Sequence, residues 1–372
     1  MTVALPSHFP PAARLYLMPI GLGSARAMAP MIADGTALPL AGGPLAFAAC
    51  EVAIRDRRIE RVAAGVADIR SWAGRIGGAA GTQVARLFHG LSRPRSQSNR
   101  TVLSRPQLMG VINATPDSFS DGGDHLDPEA AVAHGRHLVE RGAAILDIGG
   151  ESTRPGALPV DPAVEIARVM PVLEGLSPLR AASPNLRLSI DTRHAAVMRA
   201  ALSANVDILN DVTALSGDPD SLRVAAGCDA DIVLMHMQGD PRTMNLAPAY
   251  EDVALDVFDY LEARIDACVA AGIDRGRLTV DPGIGFGKRG PQNLAILRSL
   301  ALYHGLGCPI LLGVSRKGLG SESERRLTPK ERLPLSLAAA MHALDRGVQI
   351  LRVHDVAETR RALDLWERLN DS

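Results

Sequence analysis

From Pro106 to the end of the chain, short apolar runs and amphipathic stretches alternate eight times. Each apolar run ends in a polar or glycine-rich loop. Buried parallel strands read as continuous apolar runs, and the helices that connect them read as amphipathic stretches, so the alternation predicts an α/β fold with a parallel sheet. The predicted strands are Leu108–Ile112, Ala144–Ile148, Leu186–Ile190, Val206–Leu209, Asp231–Met235, Leu278–Val280, Pro309–Leu312 and Ile350–Val353.

The stretches between these runs predict one helix per strand. Eight units of roughly 33 residues approach the size of a (β/α)₈ TIM barrel, which is the fold we predict. A doubly wound open sheet is the alternative, because the alternation alone does not show whether the sheet closes. The predicted helices are Asp127–Gly142, Ala163–Leu176, His194–Ala204, Tyr250–Ala271, Gln292–Leu302, Pro329–Arg346 and Val356–Leu369, with the weakest pattern at Asp220–Ala226.

Residues 1–105 lack this alternation and predict a small α+β extension. Its candidate strands are Arg14–Ile20 and Leu45–Ile54, and its candidate helices are Ile59–Ile76 and Thr82–Leu91. The polar, arginine-rich stretch Leu91–Arg100 is typical of a linker. We therefore divide the chain into an extension, residues 1–105, and a barrel, residues 106–372.

Charge separates the same two segments. Residues 1–105 hold 13 arginines, no lysine and 5 acids, a net charge of +8, whereas the rest holds 27 basic and 36 acidic residues, a net charge of −9. The sum, −1, argues against a nucleic-acid partner for the whole molecule. The basic extension is consistent with contact with an acidic partner, with contact with the acidic barrel, or with a solvated surface.

Composition narrows the class of protein further. Apolar residues make up 47% of the chain, which suits a folded domain, and no run is long enough to predict a membrane span. The four cysteines have no zinc-site or disulfide spacing, so we expect reduced thiols and a cytoplasmic enzyme. The N-terminus does not resemble a secretory signal, although its composition leaves a mitochondrial transit peptide open.

Polar side chains follow each predicted strand. In a (β/α)₈ barrel these positions meet at one rim, where such barrels keep their chemistry. A single Asp or Asn there is more often a turn residue or a helix cap, so the signal is the convergence of eight ends. The side chains that follow the strands are Asn113, Thr153 and Arg154, Asp191, Asn210, His236, Asp281, Ser315 to Lys317, and Arg352 with His354.

This predicted rim divides into two chemical halves. Arg154, Arg316, Lys317, Arg352 and His354 are donors suited to an anion such as phosphate. Asp191, Asn210 and Asp281 are acceptors or mixed groups, which suit a heterocycle with amino and ring N–H groups. Only three lysines occur in the chain, which makes Lys317 a selective choice. We therefore predict a site for a flat nitrogen heterocycle beside a phosphate.

Three familiar motifs fail on inspection. The run Gly283–Lys288 has neither P-loop spacing nor the GxGxxG pattern. Gly313–Lys317 has a lysine where a nucleophile elbow needs glycine, so Ser315 is better interpreted as a hydrogen-bonding group than as a nucleophile.

Several long motifs resemble those of the dihydropteroate synthases, a family of pterin-binding enzymes. Met109–Gly123 is similar to the family's first signature and Asp147–Gly156 to its second. Further matches are Ser189–Arg193, Asp281–Lys288, Gly313–Lys317 and Arg352–Asp355. The resemblance implies a transferase of folate synthesis that joins 6-hydroxymethyl-7,8-dihydropterin diphosphate to 4-aminobenzoate and releases diphosphate.

The resemblance also implies roles for individual residues. It gives pterin binding to Asp191, Asn210, Asp281 and Lys317, and diphosphate binding to Asn113, Arg154, Arg352 and His354, with Mg²⁺ at Asn113. It gives the aminobenzoate pocket to Thr153, Phe286 and Ser315. The implied catalytic set is Asp191, Asp281, Lys317, Arg352 and His354. It further implies a homodimer, with small-molecule substrates and neither a nucleic-acid nor a membrane partner.

Two alternatives and one loop prediction accompany this interpretation. A pterin-dependent methyltransferase shares the barrel but needs a corrinoid partner, and a non-catalytic pterin-binding paralogue would lack turnover.

Ala114–Asp124 and Glu151–Pro159 are rich in Gly, Pro, Asp and Ser, and we predict that they close over the second substrate. Gly318–Glu324 departs from the more apolar sequence usual in the family.

Overall fold

Eight parallel strands close into a barrel, as predicted. The computed structural model describes residues 5–97, 101–103, 105–115, 127–152, 157–239, 243–244, 246–319, 324 and 326–370. The sheet runs in the order β14-β13-β12-β11-β10-β9-β16-β15, and a parallel bridge between Val280 and Ile310 closes it. The strands are β9 Gln107–Asn113, β10 Ile145–Gly149, β11 Arg187–Asp191, β12 Ile208–Asp211, β13 Asp231–Met235, β14 Leu278–Asp281, β15 Leu311–Gly313 and β16 Ile350–Val353.

Helices follow the strands, and aspartates fix where several of them begin. The side chains of Asp127, Asp161 and Asp252 each accept a hydrogen bond from a backbone N–H two residues on, at 2.8–3.1 Å, which satisfies a free donor of the first turn. The barrel helices are α4 Pro128–Glu140, α5 Pro162–Leu176, α6 Leu179–Ala182, α7 Ala195–Ser203, α8 Ser221–Ala226, α9 Val253–Ala270, α10 Gly290–Arg298, α11 Leu333–Leu344 and α12 Val356–Asn370, with 3₁₀ turns at Arg275–Arg277 and Leu300–Leu306.

The two-residue period of the strands builds the barrel interior in layers. Buried apolar side chains from six strands form one cluster inside it: Met109, Ile145, Ile208, Val233, Leu311 and Ile350. Alternate residues of a strand point to the same side, so the next inward positions lie one layer nearer the carboxyl ends. Two residues beyond Ile145, Ile208 and Ile350 come Asp147, Asn210 and Arg352. The apolar layer is therefore the floor beneath a polar mouth.

The extension forms a small α+β unit. Strands β1, β5 and β6 make an antiparallel sheet, and β2, β4 and β3 make a second one. A hairpin of β7 and β8 precedes the barrel. The elements are β1 Arg14–Ile20, β2 Gly23–Ser24, α1 Ala29–Ala33, β3 Leu38–Pro39, β4 Leu45–Phe47, β5 Ala49–Arg55, β6 Ile59–Gly65, α2 Val66–Ile76, α3 Gly78–Ser92, β7 Ser96–Gln97 and β8 Thr101–Val102.

The prediction of one helix over Ile59–Ile76 was wrong in its first third. Residues Ile59–Gly65 pair with β5 along their whole length, from Arg55 opposite Ile59 to Ala49 opposite Gly65. Pairing with a neighbouring strand outweighs local helix propensity here. The predicted strand Leu45–Ile54 is divided into β4 and β5 at Ala48.

The extension packs on the barrel through a shared core and a row of ion pairs. Tyr16 lies edge-on to Phe258 of α9, with ring centroids 5.6 Å apart. Arg55 pairs with Asp256 at 2.6 Å and Asp259 at 2.9 Å. Further pairs with this helix and its N-cap are Arg14 with Asp259 and Glu262, Arg61 with Asp252, and Arg86 with Glu262. Contact with the acidic barrel, one of the three alternatives for the basic extension, is thus confirmed.

The stretch predicted as a linker also has an ordered anchor. Its first two residues belong to α3, and Arg95 is 1% exposed. Arg95 donates to the carbonyl oxygens of Gly90 and His304, at 2.7 and 2.9 Å. This places the guanidinium between the extension and the barrel, and hydrogen bonds to both hold it there.

We expect Arg55→Gln to lower the free energy of unfolding by about 1–3 kcal/mol, because Asp256 and Asp259 would each lose a cationic partner, although Asp259 keeps Arg14 and the Tyr16 hydroxyl. The loss should shrink at high salt. Urea denaturation at low and high ionic strength would measure it. Arg58→Gln is the matched control, since Arg58 is 83% exposed and, within the described part of the chain, pairs only with Glu60. Equal effects of the two substitutions would contradict the importance of this contact.

Among the described residues, no helix combines the length and the apolar composition that crossing a membrane requires.

Candidate active site

The carboxyl ends of the strands bring the predicted polar residues to one mouth. Strand register places Gly149 opposite both Asn113 and Asp191, and Asp191 opposite Asn210. Asp281 is opposite Met235, and Arg352 is opposite Gly313. Ser315, Lys317 and His354 follow directly after the last two strands. The convergence that the sequence predicted is therefore present in the described part of the chain.

Arg352 is the centre of a buried polar network at this mouth. Its Nε donates to Asp147 Oδ2 and one terminal nitrogen, Nη2, donates to Asp191 Oδ2, both at 2.6 Å. Asn210 Nδ2 donates to the same Asp147 oxygen at 3.1 Å. The network therefore ties four strands together. The network also fixes the plane of the Arg352 guanidinium, because two carboxylates accept hydrogen bonds from adjacent edges of this group.

Asp147 is a member of this network that the sequence did not single out. Its side chain is fully buried, and its Oδ1 has no hydrogen-bond partner among the described residues. The available signal was an acid inside an otherwise apolar strand, since such a charge needs a partner. Burial raises the pKa of Asp191 above its usual range, and Asp147 and Asp211 add to the rise while Arg352 opposes it.

Asp281 and Lys317 form the opposite wall of the mouth. Asp281 Oδ1 accepts a hydrogen bond from the Gly283 backbone N–H at 2.7 Å, and burial raises the pKa of this carboxyl. Lys317 Nζ donates to the Ile284 carbonyl at 2.5 Å and lies 4.6 Å from the ring centroid of Phe286. Burial lowers the pKa of Lys317 to about 8, although the charge of Asp281 opposes this change.

A second lysine, Lys288, holds the loop after β14, which carries Ile284 and Phe286. Lys288 Nζ is 2.8 Å from His236 Nδ1 and donates to the carbonyls of Gly283 and Phe286 at 2.8 and 2.9 Å. Burial, with the nearby charge of Lys288, lowers the pKa of His236 to about 2, so His236 is a neutral acceptor. In the sequence, Lys288 stood out only as the end of a failed motif and of a stretch similar to the family's, although the scarcity of lysine was a usable signal.

Gly283 is required by this loop. Its φ is +68°, and a Cβ atom there would lie 1.9 Å from the carbonyl oxygen of His236. No side chain fits such an approach. The glycine thus allows the loop after β14 to pass close to the end of β13.

Ser315 and His354 join the last two strands at the rim. The His354 backbone N–H donates to Ser315 Oγ at 3.1 Å, and His354 Nδ1 lies at the same distance from this oxygen. Arg316, which the sequence placed among the anion donors, forms a two-point ion pair with Asp355 at 2.6 and 3.0 Å. The charge of Arg316 is therefore balanced locally.

Some predicted residues lie outside the described part of the chain. These are Thr153 and Arg154, together with residues 116–124 and 155–156 of the two predicted closing loops and residues 320–323 of the departing loop. The predictions for those positions stay predictions.

Comparison with known proteins agrees with this geometry. Residues 109–354 match the model of the family described as pterin binding enzyme. The dihydropteroate synthase of Neisseria meningitidis serogroup B is 46% identical over 272 residues, which cover 72% of this chain and 94% of that protein. The dihydropteroate synthase of Escherichia coli K12 is 42% identical, and the match covers 73% of this chain and 94% of that protein.

Solved structures give the same result. A Xanthomonas albilineans dihydropteroate synthase solved with 4-aminobenzoic acid is 47% identical, with a TM-score of 0.68 over 75% of this chain and 99% of that one. Another structure of the enzyme from that organism, in complex with 7,8-dihydropteroate, is 44% identical, with a TM-score of 0.66. With the family model matching most of the barrel and relatives covered almost end to end, the chain belongs to the dihydropteroate synthases of the pterin-binding enzyme family.

Proposed function

We propose that this chain condenses 6-hydroxymethyl-7,8-dihydropterin diphosphate with 4-aminobenzoate, yielding 7,8-dihydropteroate and diphosphate. The observation that carries the proposal is the meeting of Asp191, Asn210, Asp281, Lys317 and Arg352 at one mouth, in a chain whose relatives are dihydropteroate synthases. The activity is that of a transferase in folate biosynthesis.

The acceptors on the wall of the mouth suit the pterin ring. Asp281 uses Oδ1 for Gly283, and within the described residues its Oδ2 accepts no hydrogen bond, which leaves that oxygen for a ring N–H or amino group. Asn210 offers a side-chain carbonyl, since its Nδ2 is held by Asp147. The Lys317 ammonium supplies a donor for a ring carbonyl or nitrogen. Buried charged groups of this kind discriminate strongly among heterocycles, because a wrong ring leaves them unpaired.

Arg352 suits the diphosphate, a role that the resemblance also gives to His354. The guanidinium of Arg352 has two nitrogens engaged with carboxylates, while Nη1 makes no hydrogen bond in the described part of the chain. The side chain is 24% exposed, so this nitrogen is accessible from the mouth. An anion there gains a donor that is already oriented, which lowers the cost of binding.

The residues also fit the Mg²⁺ ion that the resemblance implies. Asn113 lies half-buried at the end of β9, and its side chain has no hydrogen-bond partner among the described residues. An amide oxygen is a hard ligand that Mg²⁺ accepts, and this ion commonly takes only one or two protein ligands beside phosphate oxygens and water. When bound, Mg²⁺ would neutralise charge on the diphosphate.

The chemistry needs charge stabilisation more than a strong base. The bond between the pterin methylene and the diphosphate oxygen breaks, and its electrons leave with diphosphate. The carboxylates of Asp191 and Asp281 lie where they stabilise the cation left on the pterin. The neutral amine of 4-aminobenzoate then forms the new carbon–nitrogen bond and passes a proton to the released diphosphate or to water. We propose this dissociative route because no His–carboxylate pair at the mouth, among the described residues, is arranged as a general base.

The decisive experiment measures diphosphate release with and without 4-aminobenzoate. A synthase releases diphosphate in proportion to 7,8-dihydropteroate and depends on the amine. A non-catalytic paralogue binds the pterin and releases nothing, and a methyltransferase releases no diphosphate under either condition. Either result would overturn the proposal. A homodimer and a cytoplasmic location stay predictions, which sedimentation and cell fractionation would test.

We expect affinity for the pterin diphosphate to fall as the pH rises through about 8. The pKa of Lys317 is lowered to this value by burial, so the ammonium loses its proton above it and the anionic substrate loses a cationic partner. The dissociation constant should rise about tenfold per pH unit beyond the inflection. Lys317→Arg should remove the inflection, since arginine stays charged. An identical inflection in this variant would show that another group titrates.

A further inference from the structure

Three side chains outside the proposed substrate contacts converge on a single point. Glu151 follows β10, Glu165 lies on α5, and His194 immediately precedes α7. Each offers one ligand atom, and these atoms lie within 4.8 Å of one another. Glu151 and Glu165 belong to one β/α unit and His194 to the next, so the barrel topology, not local sequence alone, brings the three groups together.

Glu165 is the anomalous member of the cluster. Its side chain is fully buried, yet neither carboxyl oxygen has a hydrogen-bond partner among the described residues. Burial raises the pKa of this carboxyl to about 7, and Thr192 offsets this rise only in part. Burying a carboxyl group without a hydrogen-bond donor costs free energy, so a bound cation or a proton must offset that cost.

His194, like Glu165, has a buried polar atom without a hydrogen-bond partner among the described residues. Its Nε2 is buried without a hydrogen-bond partner in the same part of the structure, and it lies 3.7 Å from Glu151 Oε2. An imidazole nitrogen and two carboxyl groups on three separate segments thus lie within 4.8 Å of one another. Mixed imidazole and carboxylate sets are typical ligands of Zn²⁺ and related ions.

We propose that Glu151, Glu165 and His194 bind a divalent metal ion of the Zn²⁺ type, at a site distinct from the Mg²⁺ position at Asn113. Within the described residues these three form the only group of His, Cys, Asp and Glu side chains with this spacing. A metal ion there would supply positive charge to both the Glu165 carboxyl and His194 Nε2. A single hydrogen-bond donor would satisfy only one of these two groups.

The neighbouring Arg193 sets the charge balance of this site. Its guanidinium donates to both oxygens of Glu151 at 2.9 Å, and the Val160 backbone N–H donates to Oε1 at 3.1 Å. These bonds orient the Glu151 carboxylate and offset one negative charge. Glu165 has no such ion-pair partner among the described residues, so the cluster has a second carboxyl group to offer a cation.

The ion would join the end of β10 to α5 and to the turn after β11. Gly149, two residues before Glu151, is paired with Asp191, the partner of Arg352. The three ligands are therefore positioning residues, and the metal would act on the mouth through the end of β10.

Zn²⁺ binding by the metal-free full-length protein tests this proposal. Protein treated with a chelator and then freed of it is titrated with Zn²⁺ alone by calorimetry, and the melting temperature is followed in parallel. We expect one ion per chain and a rise in melting temperature. His194→Ala and Glu165→Gln should each weaken the binding at least tenfold and abolish the thermal shift.

His89→Ala is the matched control, because His89 is an exposed imidazole on α3 of the extension. It should bind Zn²⁺ as the wild type does. Absence of stoichiometric binding by the wild type, or unchanged affinity in His194→Ala, would overturn the proposal and leave a proton as the species that neutralises Glu165. Circular dichroism checks folding, and His194→Ala decides the matter if Glu165→Gln does not fold.

Discussion

Asp281→Asn is expected to weaken binding of the pterin diphosphate by roughly 30- to 700-fold, which corresponds to about 2–4 kcal/mol. The carboxylate is buried at the end of β14, and its Oδ2 is unused within the described part of the chain. An amide in its place keeps the hydrogen bond from Gly283 but removes the negative charge. It also turns an NH₂ group toward the donors of the ring, so an attractive contact becomes a repulsive one.

Calorimetric titration with the pterin diphosphate would measure this loss. The control is Asp274→Asn, at the opposite end of the same strand. Asp274 is exposed and caps the 3₁₀ turn before β14 by accepting from the Gly276 N–H at 2.7 Å, a role that asparagine also fills. Affinity in the control should equal that of the wild type. Unchanged affinity in Asp281→Asn would remove Asp281 from the pterin site.

Arg352→Ala is expected to lower the free energy of unfolding by about 3–5 kcal/mol, because it leaves Asp147 and Asp191 buried beside each other with no cation. Both carboxylates now receive a 2.6 Å hydrogen bond from this single guanidinium. Binding should suffer selectively as well. The pterin diphosphate loses its Nη1 donor, whereas a bare pterin does not depend on that nitrogen.

Urea denaturation followed by circular dichroism gives the stability change, and calorimetry with the two ligands gives the binding change. A second substitution, Asp147→Asn, should recover part of the stability, since it removes one of the stranded charges. Arg180→Ala is the control, because Arg180 pairs with the half-exposed Asp207 away from the mouth and should cost at most about 1 kcal/mol. A loss of that size in Arg352→Ala would show that the network contributes little.

The barrel was predictable because its pattern is local. Strands such as Asp231–Met235 and Ile350–Val353 begin and end where their apolar runs do. The positions just beyond such runs must meet once the sheet closes, so the members of the mouth could be named from the sequence. Closure itself could not be read from the runs, since an open sheet has the same alternation.

What escaped prediction depends on contacts between distant residues. Which carboxylates hold Arg352 is decided by the alternation of inward side chains on four strands, and Asp147 is 205 residues away. The strand at Ile59–Gly65 exists because β5 lies beside it, and its own residues favour a helix equally well. The Glu165–His194 proximity likewise follows from packing of α5 against the next unit.

The ion pairs between the extension and α9 also bear on the order in which this chain folds as it is made. Arg55 leaves the ribosome first, but Asp259 is synthesised 204 residues later. At ordinary translation rates the extension therefore waits on the order of 10–40 s for the helix it rests on. During that time its apolar face has no native partner, which makes the nascent extension a natural client for chaperones.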